Sequence, residues 1–469
     1  MALGHDIKDV HFVGIGGYGM SALALILLQQ GYRISGSDLK ESPLTATLSA
    51  RGAAVSIGHH PENLGSAQLV VYSTAVPSGN PELEEAGRRK LLLWHRSELL
   101  AALLNEADGI AIAGAHGKTT TTAMVALLLE AGGLDPTVVI GGILPVYGSN
   151  ARLGSSRYLV AEADESDRSF TRYYPQIALV TGMEADHLEH YENDYASLIE
   201  AYSIFLEHLD PNGTAVLCAE DPALVEQGSR LKRRVVYYAL SERLETDRPD
   251  YYAANLNLKG WGSTFDFYHR GALRVPAVHL SVPGRHNISN AVGALALADQ
   301  LGINPADCAG ALAAFKGVGR RFEIIGTVGD ITVVDDYAHH PTEIKATLEA
   351  ARPGSSRLIC IFQPHRYSRM ACFFEQFAAA FNNADQLFLH RVYSAGEEPI
   401  PGATSAALAE LIHSQETVPV FHSADLAVLE EKAVEAARPG DLIITMGAGD
   451  INGAAPRIVT RLQEKARRS

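Results

Sequence analysis

Short apolar runs, each ending in glycine or acid and followed by a stretch with helical spacing, recur along the whole chain. Residues 10–13 read as a strand that enters Gly14-Ile15-Gly16-Gly17-Tyr18-Gly19. The spacing predicts a helix over 20–30, stopped by Gly31, then a second strand over 32–36 with Asp38 just past its end. Strand, glycine turn, helix, strand and acid make a βαβ unit of about 30 residues. A strand at 69–73 and a helix at 97–105 close this first segment near Ala107-Asp108.

The second segment opens with a buried-strand pattern over 109–113, enters Gly114-Ala115-His116-Gly117-Lys118-Thr119-Thr120 and continues as an apolar helix to Gly132. Strands at 158–161 and 177–181 end in the acidic strings Glu162-Ala163-Asp164-Glu165-Ser166-Asp167 and Glu184-Ala185-Asp186-His187. From about 210 to 282 the alternation is strand-like with few helix signals, which predicts an antiparallel excursion or a small β-subdomain. Helix returns over 290–302, and a boundary falls near Gly317-Val318-Gly319. The third segment alternates strands at 332–334, 358–362, 386–389 and 442–446 with helices such as 342–351 and 373–381. This β–α alternation predicts an α/β protein with a mostly parallel sheet in each of three domains, 1–107, 108–318 and 319–469.

The 39 Lys and Arg against 54 Asp and Glu give a formal charge of −15, which argues against nucleic acid or an anionic membrane as partner. The four cysteines, Cys218, Cys308, Cys360 and Cys372, form no CxxC pair and signal neither a disulfide framework nor a zinc site. The first residues lack a basic-then-apolar leader, and the apolar run 22–28 is too short to span a bilayer. The expected location is the cytoplasm, with no oligomer predicted.

The strongest chemical signal is the loop 114–120. A strand ends, glycines turn backbone N–H groups inward, and a helix begins at the threonines; amide dipoles and the Lys118 charge then face polyphosphate, with the Thr119 hydroxyl placed for Mg²⁺. The usual phosphate-loop spacing wants glycine at 112, which is Ile112, so this is a variant. Gly14, Gly16 and Gly19 with Asp38 match a dinucleotide fingerprint; the geometry dictates a phosphate at a helix N-terminus but leaves open whether the nucleotide is NAD. Glu162 and His187 follow strands of the phosphate-loop segment, so they line the same crevice as the loop, the carboxylate being the natural Mg²⁺ ligand and an imidazole a less usual one. Their plainer readings are a solvated turn and a loop histidine. Arg320-Arg321 and Asp335-Asp336 straddle the start of the third segment, where a salt-bridged junction is the plain alternative, and His339-His340-Pro341 reads as a structural turn. Arg366 and Arg369, three apart after a strand, suit capture of a carboxylate or phosphate.

Taken together, GIGGYGMSALA (14–24), AGAHGKTTTT (113–122), EADESD (162–167), EADH (184–187), GRHNISNA (284–291), GRRFE (319–323), DDYAHHPTE (335–343) and QPHRYSR (363–369) resemble the Mur ligases, in order and from about residue 10 to about 450. The resemblance implies an N-terminal Rossmann-like domain for a UDP-sugar, a central ATPase and a C-terminal Rossmann-like domain for an amino acid. It implies that the first loop receives UDP-N-acetylmuramate and not NAD, with Gly16, Gly17, Gly19, Met20, Asp38 and Ser73 as its contacts. ATP would lie on Gly114, Ala115, His116, Gly117, Lys118, Thr119 and Thr120, with Asn287, Asn290, Arg321 and Asp336; Mg²⁺ on Thr119, Glu162 and His187; alanine near Tyr337, His339, Arg366 and Arg369. Ala115 replaces the usual Thr and Tyr18 a usual small residue. Ser166 and the GIGGYGM form favour the branch that adds L-alanine in the first peptide-forming step of peptidoglycan synthesis over the branch that recycles murein tripeptide.

The implied chemistry is ATP-dependent conversion of the lactyl carboxylate to an acyl phosphate, then attack by the alanine amine, with closure of the domains around the reactants. A dehydrogenase and a nucleotide-sensing switch are the rival classes that the two loops leave.

Overall fold

A computed structural model describes residues 6–241 and 249–468. It is an α/β protein with three sheets, and the chain divides into two compact units. The first comprises Met1–Ala254, Asp266–Val278 and Ser289–Leu312, the second Asn255–Phe265, His279–Ile288 and Ala313–Ser469.

In the first unit a five-stranded sheet has the order Ala54–Ile57, Arg33–Asp38, Asp9–Val13, Leu69–Tyr72, Leu92–His95, all parallel. Val13 pairs with Ser37 and Phe12 with Val71, so Gly14, Asp38 and Ser73 emerge at one edge. The next sheet places Asp108–Ala113 between Ile177–Val180 and Tyr158–Glu162, both parallel to it, with Val180 level with Ala113 and Glu162 with Ile112. In an open parallel sheet the loops leaving such neighbouring carboxyl ends share one crevice. Glu162 is the last residue of its strand rather than the first beyond it.

The stretch 210–282 departs from expectation. Its first half is ordinary parallel α/β: Thr214–Cys218, the helix Pro222–Arg230 and Arg234–Ala239. Asp221 caps that helix by accepting from the amides of Ala223 and Leu224, and Pro222 fills the first turn, a start signal that the surrounding alternation obscures. Only the strands Tyr251–Lys259, Gly262–His269 and Ala272–Leu280 form an excursion, joined by two-residue turns that only antiparallel neighbours can use. Arg270 and Gly271 both have positive φ there, as a tight hairpin requires. The division between the units falls within these strands, and residues 242–248 of the stretch lie outside the described residues.

The six-stranded sheet of the second unit runs Glu323–Val328, Ile331–Asp336, Asp441–Met446, Arg357–Phe362, Gln386–Leu389, Val420–His422, parallel except for the first. Leu358, Cys360 and Phe362 enter one core and Ile359 and Ile361 the other, which is why this strand reads as an unbroken apolar run. Asp336, Met446 and Phe362 are level, so Tyr337, Gly447 and Gln363 leave the sheet side by side. Cys218, Cys308 and Cys360 are buried, while Cys372 is exposed at the end of the helix Tyr367–Cys372. No helix among the described residues is long and apolar enough to cross a membrane.

Candidate active site

The loop after Asp108–Ala113 is shaped by two left-handed glycines, Gly114 at φ +129° and Gly117 at φ +82°. A Cβ on Gly114 would lie 2.1 Å from Thr181 Oγ1, and one on Gly117 2.6 Å from Asn290 Oδ1. Thr181 stitches the loop to the neighbouring strand by donating to the carbonyls of His116 (2.5 Å) and Ala113 (3.3 Å). The Lys118–Ala131 helix then begins, and its first-turn amides have no carbonyl four residues back to meet. The Ala115 amide, in contrast, is used internally, donating to the Gly182 carbonyl at 2.9 Å. His116 Nε2 meets the Glu184 carboxylate at 2.6 Å.

Lys118 Nζ bonds both oxygens of Glu165 (2.8 and 2.7 Å) and reaches back to the Gly114 carbonyl at 2.7 Å. Burial works against the ammonium, but Glu165 and Asp164 outweigh it and hold the Lys118 pKa above its usual value. Thr119 Oγ1 donates to Glu162 Oε2 at 3.2 Å, and the amide of Gly141 donates to Glu162 Oε1 at 2.5 Å. A Cβ on Gly141 would sit 2.7 Å from Glu162 Oε2, so only glycine lets that carboxylate lie flat against the strand. His187 is handled differently. It sits at φ +56°, with its ring between Asp186 (3.6 Å) and Glu189 (3.8 Å) of its own turn. The structure thus pairs Thr119 with Glu162 and gives His187 separate carboxylate neighbours.

Around the first loop, Gly14 and Ile15 donate to the Ser37 carbonyl and Gly16 donates to Asp38 Oδ2 at 2.8 Å. A Cβ on Gly16 would collide with that carboxylate at 2.8 Å. Asp38 therefore ties the loop down. Gly17 caps the Tyr18–Gln29 helix, Met20 is buried within it, and Ser73 follows the neighbouring strand with its carbonyl accepting from Val76. Tyr18 opens that helix and is 42% exposed, while its carbonyl accepts from Asn150 at 2.5 Å.

In the second unit, Asp336 is buried with both oxygens receiving backbone amides, Phe322 at 2.7 Å and Ala338 at 2.8 Å. Burial pushes its carboxyl up to about 6, against the pull of Arg321. Its carboxylate ties two segments of the second unit together at the sheet edge through backbone amides, not through a salt bridge between domains. Arg320 and Arg321 both lie over the Tyr337 ring, at 4.9 and 5.1 Å. His339 Nδ1 lies 2.9 Å from the Tyr337 carbonyl and 3.2 Å from Glu343; a proton placed there leaves Nε2 as the acceptor. His340 caps the Pro341–Ala351 helix, its ring accepting from the Thr342 amide at 3.4 Å. Arg366, at φ +68°, precedes the Tyr367–Cys372 helix, which carries the buried Arg369 one turn on. The Asn287 side-chain amide donates to the Pro283 carbonyl at 2.7 Å at the start of the Arg285–Gln300 helix.

Sequence reasoning missed Glu165, Gly141 and Thr181, and also Gly447-Ala448-Gly449, where a Cβ on Gly449 would meet Gln363 Oε1 at 2.4 Å. Glu165 and Thr181 stood in the acidic string and the strand already read there, without a role of their own, and the last carried a signal that was passed over, glycines directly after an apolar strand.

Three family models cover the chain in sequence: Mur ligase family, catalytic domain, over 9–107; Mur ligase middle domain over 112–298; and Mur ligase, glutamate ligase domain, over 320–449. The chain belongs to the Mur ligase family. Its glycine loop at 14–19 lies inside the first of these models, so the dehydrogenase alternative is set aside. This Mur ligase is 46% identical, over 97% of its length and 98% of the relative's, to the UDP-N-acetylmuramate–L-alanine ligase of Pelotomaculum thermopropionicum. It is similar to the solved structure of UDP-N-acetylmuramate-alanine ligase MurC from Thermotoga maritima, with TM-score 0.81, 30% identity, and coverage of 97% of this chain and 99% of that one. The murein peptide ligase mpl of Psychrobacter arcticus is also similar, at TM-score 0.72 and 25% identity over 97% and 98%.

Proposed function

We propose that this Mur ligase, an ATP-dependent amide-bond-forming enzyme, joins L-alanine to the lactyl carboxylate of UDP-N-acetylmuramate and releases ADP and phosphate. The observation that carries this is similarity over nearly the whole chain to a relative and a solved structure of that name. The reading places the reaction in the cytoplasm, at the first peptide-adding step of peptidoglycan synthesis. It assigns residues 1–107 to the UDP-sugar, 108–318 to ATP and 319–469 to the amino acid.

A carboxylate does not condense with an amine in water, because oxide is too poor a leaving group. The carboxylate oxygen therefore attacks the γ-phosphorus of ATP, ADP departs, and an acyl phosphate forms. The alanine amine then attacks the acyl carbon, loses a proton, and phosphate leaves. Positioning and charge neutralisation dominate the first step. The first-turn amides of the Lys118–Ala131 helix and the Lys118 ammonium supply them, once Lys118 turns from Glu165 to the nucleotide.

The adjoining Thr119 hydroxyl and Glu162 carboxylate are hard oxygen donors side by side, a fit for Mg²⁺, which neutralises phosphate charge when bound. His187, a neutral-imidazole donor, is the remaining proposed ligand. Arg366 and Arg369 hold the alanine carboxylate, and His339 Nε2 accepts the amine proton.

Phosphate release from ATP, measured with UDP-N-acetylmuramate across single amino acids and murein tripeptide, tests the reading. Turnover is expected with L-alanine and not with tripeptide. Release that needs the tripeptide would move the chain to the recycling branch.

A further inference from the structure

Residues 393–397 lie outside every motif that carried the family resemblance, yet they bracket one of them. Arg366 stands at φ +68° and ψ +138°, a backbone state that glycine adopts freely and a residue with a Cβ does not. Such a state persists only where the surroundings fix it, and the 393–397 loop does so on both sides. Before Arg366, the Tyr393 amide donates to the Pro364 carbonyl and the Arg366 amide donates to the Tyr393 carbonyl, both at 2.8 Å. The Tyr393 ring lies flat on His365, with 9° between planes and 5.5 Å between centroids. Beyond Arg366, the Glu397 carboxylate accepts from the Ser368 amide at 3.0 Å and from the Ser368 hydroxyl at 2.7 Å. Both oxygens of one acid are thus spent on the residue that sits between Arg366 and Arg369.

The loop is itself set for this task. Ala395 at φ +51° and Gly396 at φ +89° turn the chain left-handed, and the Glu397 amide donates to the Ser394 carbonyl at 3.0 Å. Glu397 is thereby returned to the Tyr367–Cys372 helix, where Ser368 lies in the first turn and its amide has no carbonyl four residues back. If a capped helix were all that was needed, a Ser or Asp in place of Arg366 would cap it locally and without strain. The chain instead keeps an arginine in a costly conformation and brings the acid from 29 residues away. Fixing the backbone at 366 and 368 fixes the spacing of the two arginines, the condition for both to meet one carboxylate. We propose that Glu397 is a positioning residue for the amino acid: through Ser368 it holds Arg366 in its strained state and so sets the arginine pair that receives the alanine carboxylate. This rests on the ligase reading above.

Phosphate release by the full chain, measured against alanine concentration with ATP and UDP-N-acetylmuramate saturating, tests it. Glu397→Ala is expected to raise KM for alanine about tenfold, with KM for ATP unchanged and kcat within about twofold. Glu397→Gln keeps an acceptor but not the charge and guards against simple unfolding; its KM should fall between the two. In an Arg366→Ala background the further loss from Glu397→Ala should shrink to less than about twofold, because no guanidinium is left there to aim. A further loss as large without Arg366 as with it overturns the proposal. So does a fall in kcat with every KM unchanged, the signature of a merely structural residue, and so does an unchanged alanine KM in both Glu397 variants. Wild-type release that needs no single amino acid would sink the ligase reading first, and this inference with it.

Discussion

At the scale of single residues, the phosphate-loop site is held as much by absent side chains as by present ones. Glu162 reaches Thr119 only because position 141 has no Cβ. Gly141→Ala should push the carboxylate off the strand and raise the Mg²⁺ concentration needed for half-maximal turnover by about tenfold, while melting temperature changes little. An unchanged metal dependence would remove Glu162 from the metal site. For Arg369→Ala the expected loss is a higher KM for alanine, about tenfold or more, with KM for ATP unaltered. Lys118 and Thr119 were legible because they open a helix directly after a glycine loop that leaves a recognisable strand, and Glu162 because it ends one. Glu165 and Gly141 were not, since their importance comes from partners 47 and 21 residues away. Asp38 and Asp336 were legible as sheet-edge acids, yet their carboxylates face their own backbone, at Gly16 and at Phe322 and Ala338.

Among the elements, the Pro81–Arg88 helix brings a charge into the five-stranded sheet. Glu82 is fully buried; it accepts from Ser37 at 2.5 Å and Asn63 at 2.6 Å and lies 3.5 Å from His11 and 3.3 Å from His59. Burial alone would raise its pKa, but the hydrogen bonds from His11, Ser37 and Asn63 win and hold it at about 2, against an ordinary 4.5. A lowered acid binds fewer protons folded than unfolded, so its stabilisation is full above about pH 4.5 and is lost as pH falls toward 2, to a total of about 3 kcal/mol. Urea titrations between pH 5 and pH 3, followed by the fluorescence of Trp94 in a Trp261→Phe background, should show a shallower acid loss for Glu82→Gln than for the unsubstituted Glu82. Identical slopes would mean the carboxylate is not the source. Ser37, whose carbonyl anchors Gly14 and Ile15, shares this cluster, so its state bears on the first loop. Helix starts were readable where proline and a capping side chain coincide, as at Asp221-Pro222 and His340-Pro341, but in the first case strand-like surroundings masked the signal.

Across the whole molecule, the α/β class and the parallel sheets follow from the alternation of apolar strands with helical spacing. Sheet order did not: nothing local in the 108–113 or 441–446 runs states that each is a central strand, because pairing is decided by long-range burial on both faces. The same division of inside from outside bears on the thiols. Burial pushes Cys218 up to about 12 and Cys308 to about 11, and raises Cys360 as well, so at neutral pH these three are neutral, enclosed and slow to react. Cys372 alone meets solvent, three residues beyond Arg369. The native chain therefore offers one attachment point for a maleimide fluorophore, with no engineered background, beside the arginines assigned to the amino acid.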